Sequence, residues 1–249
     1  MATDRLTTVT FDFWRTLAWD PPDHLERARA TRLRMLAEVL ARAGRPCAAG
    51  AIETAYERCG IEMAELWKAE RDIGIREQVR LVFDRLDPGV AARLAPEEFD
   101  LAVEGYGAPA IQLPPLLVPG AVETVRRLAQ RGLTLGLISN TGRTPGIVIR
   151  RLLKRYGLAP YFQALSYSDE LGVRKPNAAI FEATLSALGA RPGETLHVGD
   201  NPLDDVTGAK RFGMRAAHYA PDGAPSSDEA DIVVTHLGDL PARLDGLLG

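Results

Sequence analysis

Two spacings of apolar residues alternate along this chain. Short apolar runs at 6–12, 133–139, 163–167, 195–199, 214–219 and 231–234 read as β-strands. Most lack a polar face, which suits a sheet covered on both sides. Helix-period stretches lie between them. Ala121–Gln130 follows Pro119-Gly120 and stops at Gly132, Ile147–Tyr156 stops at Gly157, and Asn177–Leu188 stops at Gly189. Leu203–Phe212 stops at Gly213, and a last stretch runs Leu237–Leu248. Strands alternating with helices of this length predict right-handed crossovers and a parallel, Rossmann-like α/β sheet.

One segment breaks the alternation. Residues 18–115 hold no convincing strand and carry helical patterns at His24–Ala43, Ala51–Lys68, Ile75–Leu86 and Pro96–Tyr106. This is an α-helical insertion between the first strand and the rest of the sheet. The expected division is a core of residues 1–17 and 116–249 and an inserted domain of residues 18–115, with the return hinge at Pro114-Pro115 and Pro119-Gly120. Both flanks are needed to complete the core, so the insertion should sit over the strand ends. The polar stretch Asp222–Glu229 reads as a loop.

Composition narrows the class. The 249 residues are 46% hydrophobic and 25% charged, enough to bury a sizeable core. A net charge of −3 gives no global field favouring nucleic acid or an anionic membrane. The arginines of 27–34 read as the solvated face of an amphipathic helix. Residues 1–5 carry no apolar signal region, and no run is long enough to span a bilayer. Cys47 and Cys59 form no close metal-type pair and read as small buried side chains. A reduced, cytoplasmic setting is the expectation.

The chemistry is concentrated at predicted strand ends and helix starts. Asp12 closes the first apolar run, and open α/β sheets place ligands at the C-terminal ends of their strands. Ser139-Asn140 ends the second run, Lys175-Pro176 precedes a helix, and Asp200, Asp204 and Asp205 follow the Thr195–Gly199 run. A hydroxyl and backbone N–H groups at a strand end can hold a transferring oxygen. Oxygen ligands suit Mg²⁺. Lysine is scarce, 4 of 30 basic residues, so Lys175 hints that a compact ammonium is wanted. Plainer readings exist: Asp12 as a turn cap, Ser139-Asn140 as a turn, Lys175 as a surface residue, the later aspartates as helix-start carboxylates. Together the groups form a kit for anionic substitution at a metal.

The four segments in order resemble the haloacid dehalogenase superfamily, and the resemblance covers nearly the whole chain. It rests on Asp12-Phe13-Trp14-Arg15-Thr16-Leu17, on Ser139-Asn140-Thr141, on Lys175-Pro176, and on Val198-Gly199-Asp200-Asn201-Pro202-Leu203-Asp204-Asp205. It implies Asp12 as nucleophile, with Ser139 and Lys175 as further catalytic groups. Substrate would be held by Ser139, Asn140 and Lys175. Mg²⁺ would be bound by Asp12, the Trp14 carbonyl, Asp200 and Asp205, the last directly or through water. The family pattern favours Asp205 over Asp204 and Lys175 over Arg174. It also implies that the inserted helices form a cap that closes over the site and selects a small phosphorylated substrate. Nucleic acid and membrane are not expected partners, and monomer and homodimer both stay open.

Position 14 departs from the phosphatases of that family, which usually carry there an aspartate that serves as acid for the leaving group. Trp14 is a donor only and cannot exchange its proton usefully. Haloacid dehalogenases have an aromatic residue at this place, lack the aspartate matching Asp200 and need no metal. The first motif therefore leans toward a dehalogenase and the fourth toward a metal-dependent phosphatase. The fourth weighs more, because spaced carboxylates beside Asp12 would repel unless a cation joins them. A Mg²⁺-dependent phosphatase working through an aspartyl-phosphate is the expectation. A 2-haloacid dehalogenase-type hydrolase and a weakly active binding protein stand as alternatives. Asp20, Asp23 and His24 are candidates to replace the missing acid, His24 the best matched by pKa.

Overall fold

The computed structural model describes residues 5–221 and 223–247. The expected lead at residues 1–4, Asp222 of the polar loop and the end of the last predicted helix at Leu248 lie outside the described residues.

The sheet begins with β1 (Thr8–Phe11). A two-residue β2 (Ala18–Trp19) follows, then helices α1 (Pro22–Arg42), α2 (Ala51–Lys68), α3 (Ile75–Leu86), α4 (Pro96–Gly107) and the short α5 (Pro109–Gln112). The chain returns through β3 (Leu116–Leu117), α6 (Ala121–Gln130), β4 (Thr134–Ser139), α7 (Gly146–Arg155), β5 (Ala164–Tyr167), the single-turn α8 (Ser168–Leu171) and α9 (Ala178–Leu188). It finishes with β6 (Thr195–Gly199), α10 (Gly208–Arg211), β7 (Arg215–Tyr219), β8 (Ile232–Val234) and α11 (Leu240–Arg243).

Six strands form one parallel sheet in the order β5-β4-β1-β6-β7-β8. The chain builds from β1 outward through β4 and β5, then crosses back to add β6 on the other side of β1. That reversal is the switch point at which open α/β sheets hold ligands, and Asp12, Asn140 and Asp200 each follow one of the three strands beside it. The central strands β1 and β6 are buried along their length because both faces are covered. Val9, Phe11, Leu135 and Leu137 pack with residues of α6 and α7, while Ile138 and Ala216 pack with Ile180 and Phe181 of α9.

Helices α1 to α4 surround an apolar cluster of their own that includes Leu36, Leu40, Tyr56, Met63, Phe83 and Tyr106. Three differences from the sequence reading stand out. β2 and β3 pair antiparallel, Ala18 with Leu117 and Trp19 with Leu116, so the outgoing and returning chains lie side by side. Two residues are too short to carry a strand pattern. The stretch read as one helix at Leu203–Phe212 opens as a π-type turn over Pro202–Thr207, with Val206 N–H bonded to the Asn201 carbonyl, before α10 begins. Within the described residues, Leu237–Leu247 holds three short helical turns in place of one helix.

Candidate active site

Asp12 is buried at the tip of β1, with its backbone N–H bonded to the Val198 carbonyl of β6 at 2.8 Å. Lys175 reaches it from the loop after α8. The Lys175 ammonium stands 2.8 Å from Asp12 Oδ1, 2.5 Å from Asp205 Oδ1 and 2.7 Å from the Ile138 carbonyl. Its three protons are thereby used. Burial works against the charge on Lys175, yet Asp12 and Asp205 outweigh it and hold the pKa above the usual range. Burial pushes the Asp12 carboxyl up; Lys175 opposes this, and Asp205 and Asp200 add to it.

Asp205 is saturated by comparison. Burial would raise its pKa, but Lys175 and His197 outweigh burial and hold it low. His197 Nε2 lies 3.0 Å from Asp205 Oδ1, and Asn201 N–H donates to Oδ2 at 2.9 Å. The other ring nitrogen of His197 lies 2.9 Å from the Thr10 hydroxyl. Burial lowers the His197 pKa, so the ring is neutral; it donates from Nε2 to the carboxylate and accepts from Thr10.

Asp200 follows β6. Its carboxylate meets the Arg15 guanidinium, Nε to Oδ2 at 3.3 Å. Burial and then Asp205 push its pKa up to about 6, against Arg15. Its carbonyl accepts from His218 Nε2 at 2.9 Å, while His218 Nδ1 accepts from the Ser227 N–H at 3.0 Å. Those two bonds fix the histidine tautomer. One ligand oxygen from each of Asp12, Asp200 and Asp205 can be chosen so that all lie within 4.8 Å of one another. Such an all-oxygen set suits Mg²⁺. Asp12 and Asp200 have carboxylate capacity to spare, whereas Asp205 has little beyond what Lys175, His197 and Asn201 use.

Asn140 does more positioning than expected. Its side chain accepts from Lys175 N–H at 2.8 Å and donates to the Lys175 carbonyl at 3.0 Å and to Asp204 Oδ2 at 3.1 Å. It clips the lysine loop in place, so its amide is committed to protein. Ser139 is fully buried, and its hydroxyl has no hydrogen-bond partner among the described residues. Trp14 stacks edge-on against Phe13 and lines the small pocket formed by Asp12, Lys175, Asp200 and Asp204. His24 and Asp20 line a larger adjoining cavity, while Asp23 is exposed.

Three contributors escaped the sequence reading. His197 had a signal, a polar residue inside the apolar run Thr195–Gly199. Asn201 had one too, since it caps the following turn by accepting from Leu203 and Asp204 N–H. Arg15 had none. Its backbone takes the left-handed conformation, φ +60°, which arginine rarely adopts.

A profile of the haloacid dehalogenase-like hydrolases matches residues 6–213, and the chain belongs to that family. A glyceraldehyde 3-phosphate phosphatase of Pyrococcus furiosus is 35% identical over 130 residues, 49% of this chain and 52% of the relative. The chain spans about half the length of the first curated relatives it matches. Two solved structures align end to end. The crystal structure of a 2-haloacid dehalogenase from Pseudomonas syringae pv. Tomato covers 96% of this chain and 98% of its own, with TM-score 0.69 and 29% identity. A phosphatase of the family from Thermococcus onnurineus covers 97% and 99%, with TM-score 0.63 and 26% identity. No helix among the described residues is long and apolar enough to cross a membrane.

Proposed function

We propose that this hydrolase is a Mg²⁺-dependent phosphatase acting on a small phosphorylated metabolite, with Asp12 as nucleophile. The observation that carries the reading is the convergence of Asp12, Asp200 and Asp205 around one point beside a single buried ammonium. Asp12, Asp200, Asp204 and Asp205 against Lys175 and the exposed Arg15 leave surplus negative charge that calls for a cation. A bound Mg²⁺ would neutralise that charge and polarise the substrate phosphoryl group. Asp12 and Asp200 would hold it, with the Trp14 carbonyl, and Asp205 would act through water. The inserted segment 18–115 would serve as the cap.

The protein's own groups then have the following tasks. An Asp12 carboxylate oxygen attacks phosphorus as the ester P–O bond breaks, giving an aspartyl-phosphate and an alkoxide or phenoxide. Water attacks the phosphorus next, the Asp12 O–P bond breaks, and phosphate leaves with regeneration of the carboxylate. Lys175 fixes the orientation of Asp12. The Ser139 hydroxyl supplies a donor that has no competing partner among the described residues. Asn140 holds the Lys175 loop. Trp14 donates no proton, so the leaving group departs unprotonated or takes its proton from elsewhere.

The dehalogenase reading keeps one observation in its favour, the aromatic residue at position 14. Activity on p-nitrophenyl phosphate and a panel of phosphorylated metabolites, measured with Mg²⁺ and after chelation, separates the two. Phosphate release that is lost on chelation and regained with Mg²⁺ is expected. Chloride release from 2-chloropropionate that survives chelation, without phosphate release, would replace the phosphatase by a dehalogenase.

A further inference from the structure

Beside the Asp12 pocket lies a second cavity of about 550 Å³. Trp14 and Arg15 line both, so the two are neighbours. Its walls are mixed. Leu25, Ala110 and Leu113 give an apolar surface, and Arg32 and Arg143 bring guanidinium groups into it.

Those two arginines differ from their neighbour on the same wall. Arg29, on the same cavity, is paired with Glu53 and Glu57. Arg32 is only 7% exposed, yet no carboxylate lies within ion-pair distance of it among the described residues. It donates to neutral acceptors alone: the Tyr106 carbonyl at 3.0 Å, the Arg143 carbonyl at 3.3 Å and the Thr144 hydroxyl at 3.4 Å. Arg143 likewise donates to the Tyr106 hydroxyl at 2.5 Å and the Tyr56 carbonyl at 3.2 Å, with its guanidinium 3.7 Å above the Tyr56 ring. It too has no carboxylate partner among the described residues. The named bonds leave Nη1 of Arg32 and Nε of Arg143 unused.

A buried guanidinium without a counter-ion is costly and is rarely kept without use. Among the described residues Asp20 is the one carboxylate on the cavity wall, and it feels both His24 and Arg32 without touching the latter. Two guanidiniums against one carboxylate leave about one unit of positive charge. A further polar atom is also waiting: buried His24 Nδ1 on this cavity has no hydrogen-bond partner among the described residues.

We propose that Arg32 and Arg143 form a subsite for a carboxylate carried by the substrate, joined through a short apolar chain to the phosphate held at Asp12. The proposal rests on the phosphatase reading for the identity of the other end. The unused Nη1 of Arg32 and Nε of Arg143 can donate charge-assisted bonds to the oxygens of one carboxylate, and one negative charge balances the lining. The apolar wall suits the methylene chain between the two anions. Arg32 comes from α1 and Arg143 from the loop after β4, so the carboxylate would be gripped between the inserted helices and the sheet.

Binding decides this without needing turnover. Calorimetry on the Asp12→Asn protein with Mg²⁺ compares phosphonooxyacetate, 4-phosphonooxybutyrate and 6-phosphonooxyhexanoate with their methyl esters. At one chain length at least, the acid is expected to bind roughly ten- to a hundredfold tighter than its ester, the worth of a charge-assisted hydrogen bond. That ratio should fall to near one in R32Q and in R143Q on the same background. Arg32 also ties α1 to Tyr106; if R32Q fails to fold by circular dichroism, R143Q alone decides. Equal binding of acid and ester at every length, no binding of either, or a ratio that survives R143Q overturns the subsite. Wild-type inactivity toward p-nitrophenyl phosphate with the acid preference intact would instead overturn the phosphatase reading and leave the subsite standing.

Discussion

The Lys175 ammonium stands nearer to Asp205, at 2.5 Å, than to the proposed nucleophile, at 2.8 Å. It therefore serves the fold as well as the chemistry. Lys175→Met would leave two buried carboxylates facing each other without their shared cation. The expected loss is about 3–5 kcal/mol of unfolding free energy together with activity, read by urea unfolding. A loss under about 1 kcal/mol would show that the carboxylates are otherwise satisfied. Asp12→Asn separates the two roles. It removes a charge that burial, Asp205 and Asp200 all disfavour, so stability should hold or rise while turnover disappears.

Arg15 carries a left-handed backbone at φ +60° and an ion pair with Asp200. Glycine would relieve the backbone and lose the pair; alanine would lose the pair and keep the strain. R15G is thus expected to be more stable than R15A by about 1 kcal/mol. Equal melting temperatures would show that the backbone at this turn costs nothing.

Trp14 leaves the leaving group without a proton donor from that position. Aryl phosphates should be cleaved much faster than alkyl phosphates, with a steep dependence of kcat/KM on leaving-group pKa. Trp14→Asp should flatten that dependence, since general acid catalysis is worth roughly 10²–10⁴-fold. A flat dependence in the wild type that persists in His24→Ala and Asp20→Ala would place the acid elsewhere.

Asp169 accepts from the Gly146 N–H at the start of α7, at 3.1 and 3.3 Å. Burial nevertheless pushes its pKa up to about 6, against the bonds from Gly146 and Thr141. A carboxyl whose pKa is raised on folding binds its proton more tightly in the native state. Between about pH 4 and 6 it makes stability fall as pH rises, and above that the effect is constant. Asp169→Asn lacks this slope. The stability difference between D169N and wild type should move in favour of the variant from pH 4 to pH 6. Urea unfolding at pH 4, 5, 6 and 7 measures it, and drift the other way would mean that the helix start favours the charge.

Much of the sheet was legible because its strands obey one simple rule. Thr195–Gly199 is buried throughout because it is covered on both faces, and the glycines at 132, 157, 189 and 213 mark element ends by their positive φ. Asp12, Lys175 and Asp205 could be read because strand ends and a four-part spacing announce them. What escaped depends on contacts distant in sequence or on local backbone. No periodicity tells that Asn140 spends its amide on Lys175, 35 positions away. The π-type turn at Pro202–Thr207 has the same apolar content as a helix, and its winding is set by the bonds Asn201 makes. The guanidiniums of Arg32 and Arg143 look in sequence like two more solvated arginines. Only the packing of α1 against the loop after β4 brings them to one cavity with neutral partners in place of carboxylates.

Gly199 adds a constraint of volume to the site's constraints of charge. A β-carbon at 199 would lie 2.1 Å from Asp205 Cγ and 2.3 Å from Oδ2. Even a single methyl group there would push the Asp205 carboxylate off the Lys175 ammonium and off the His197 ring. The spacing of the charged groups is thus set from behind, by an empty position on β6 that carries no functional group at all. Redesign of this pocket for another substrate has room to work through the walls lined by Trp14, Leu25 and Leu113, whereas the floor behind Asp205 admits not one added carbon atom.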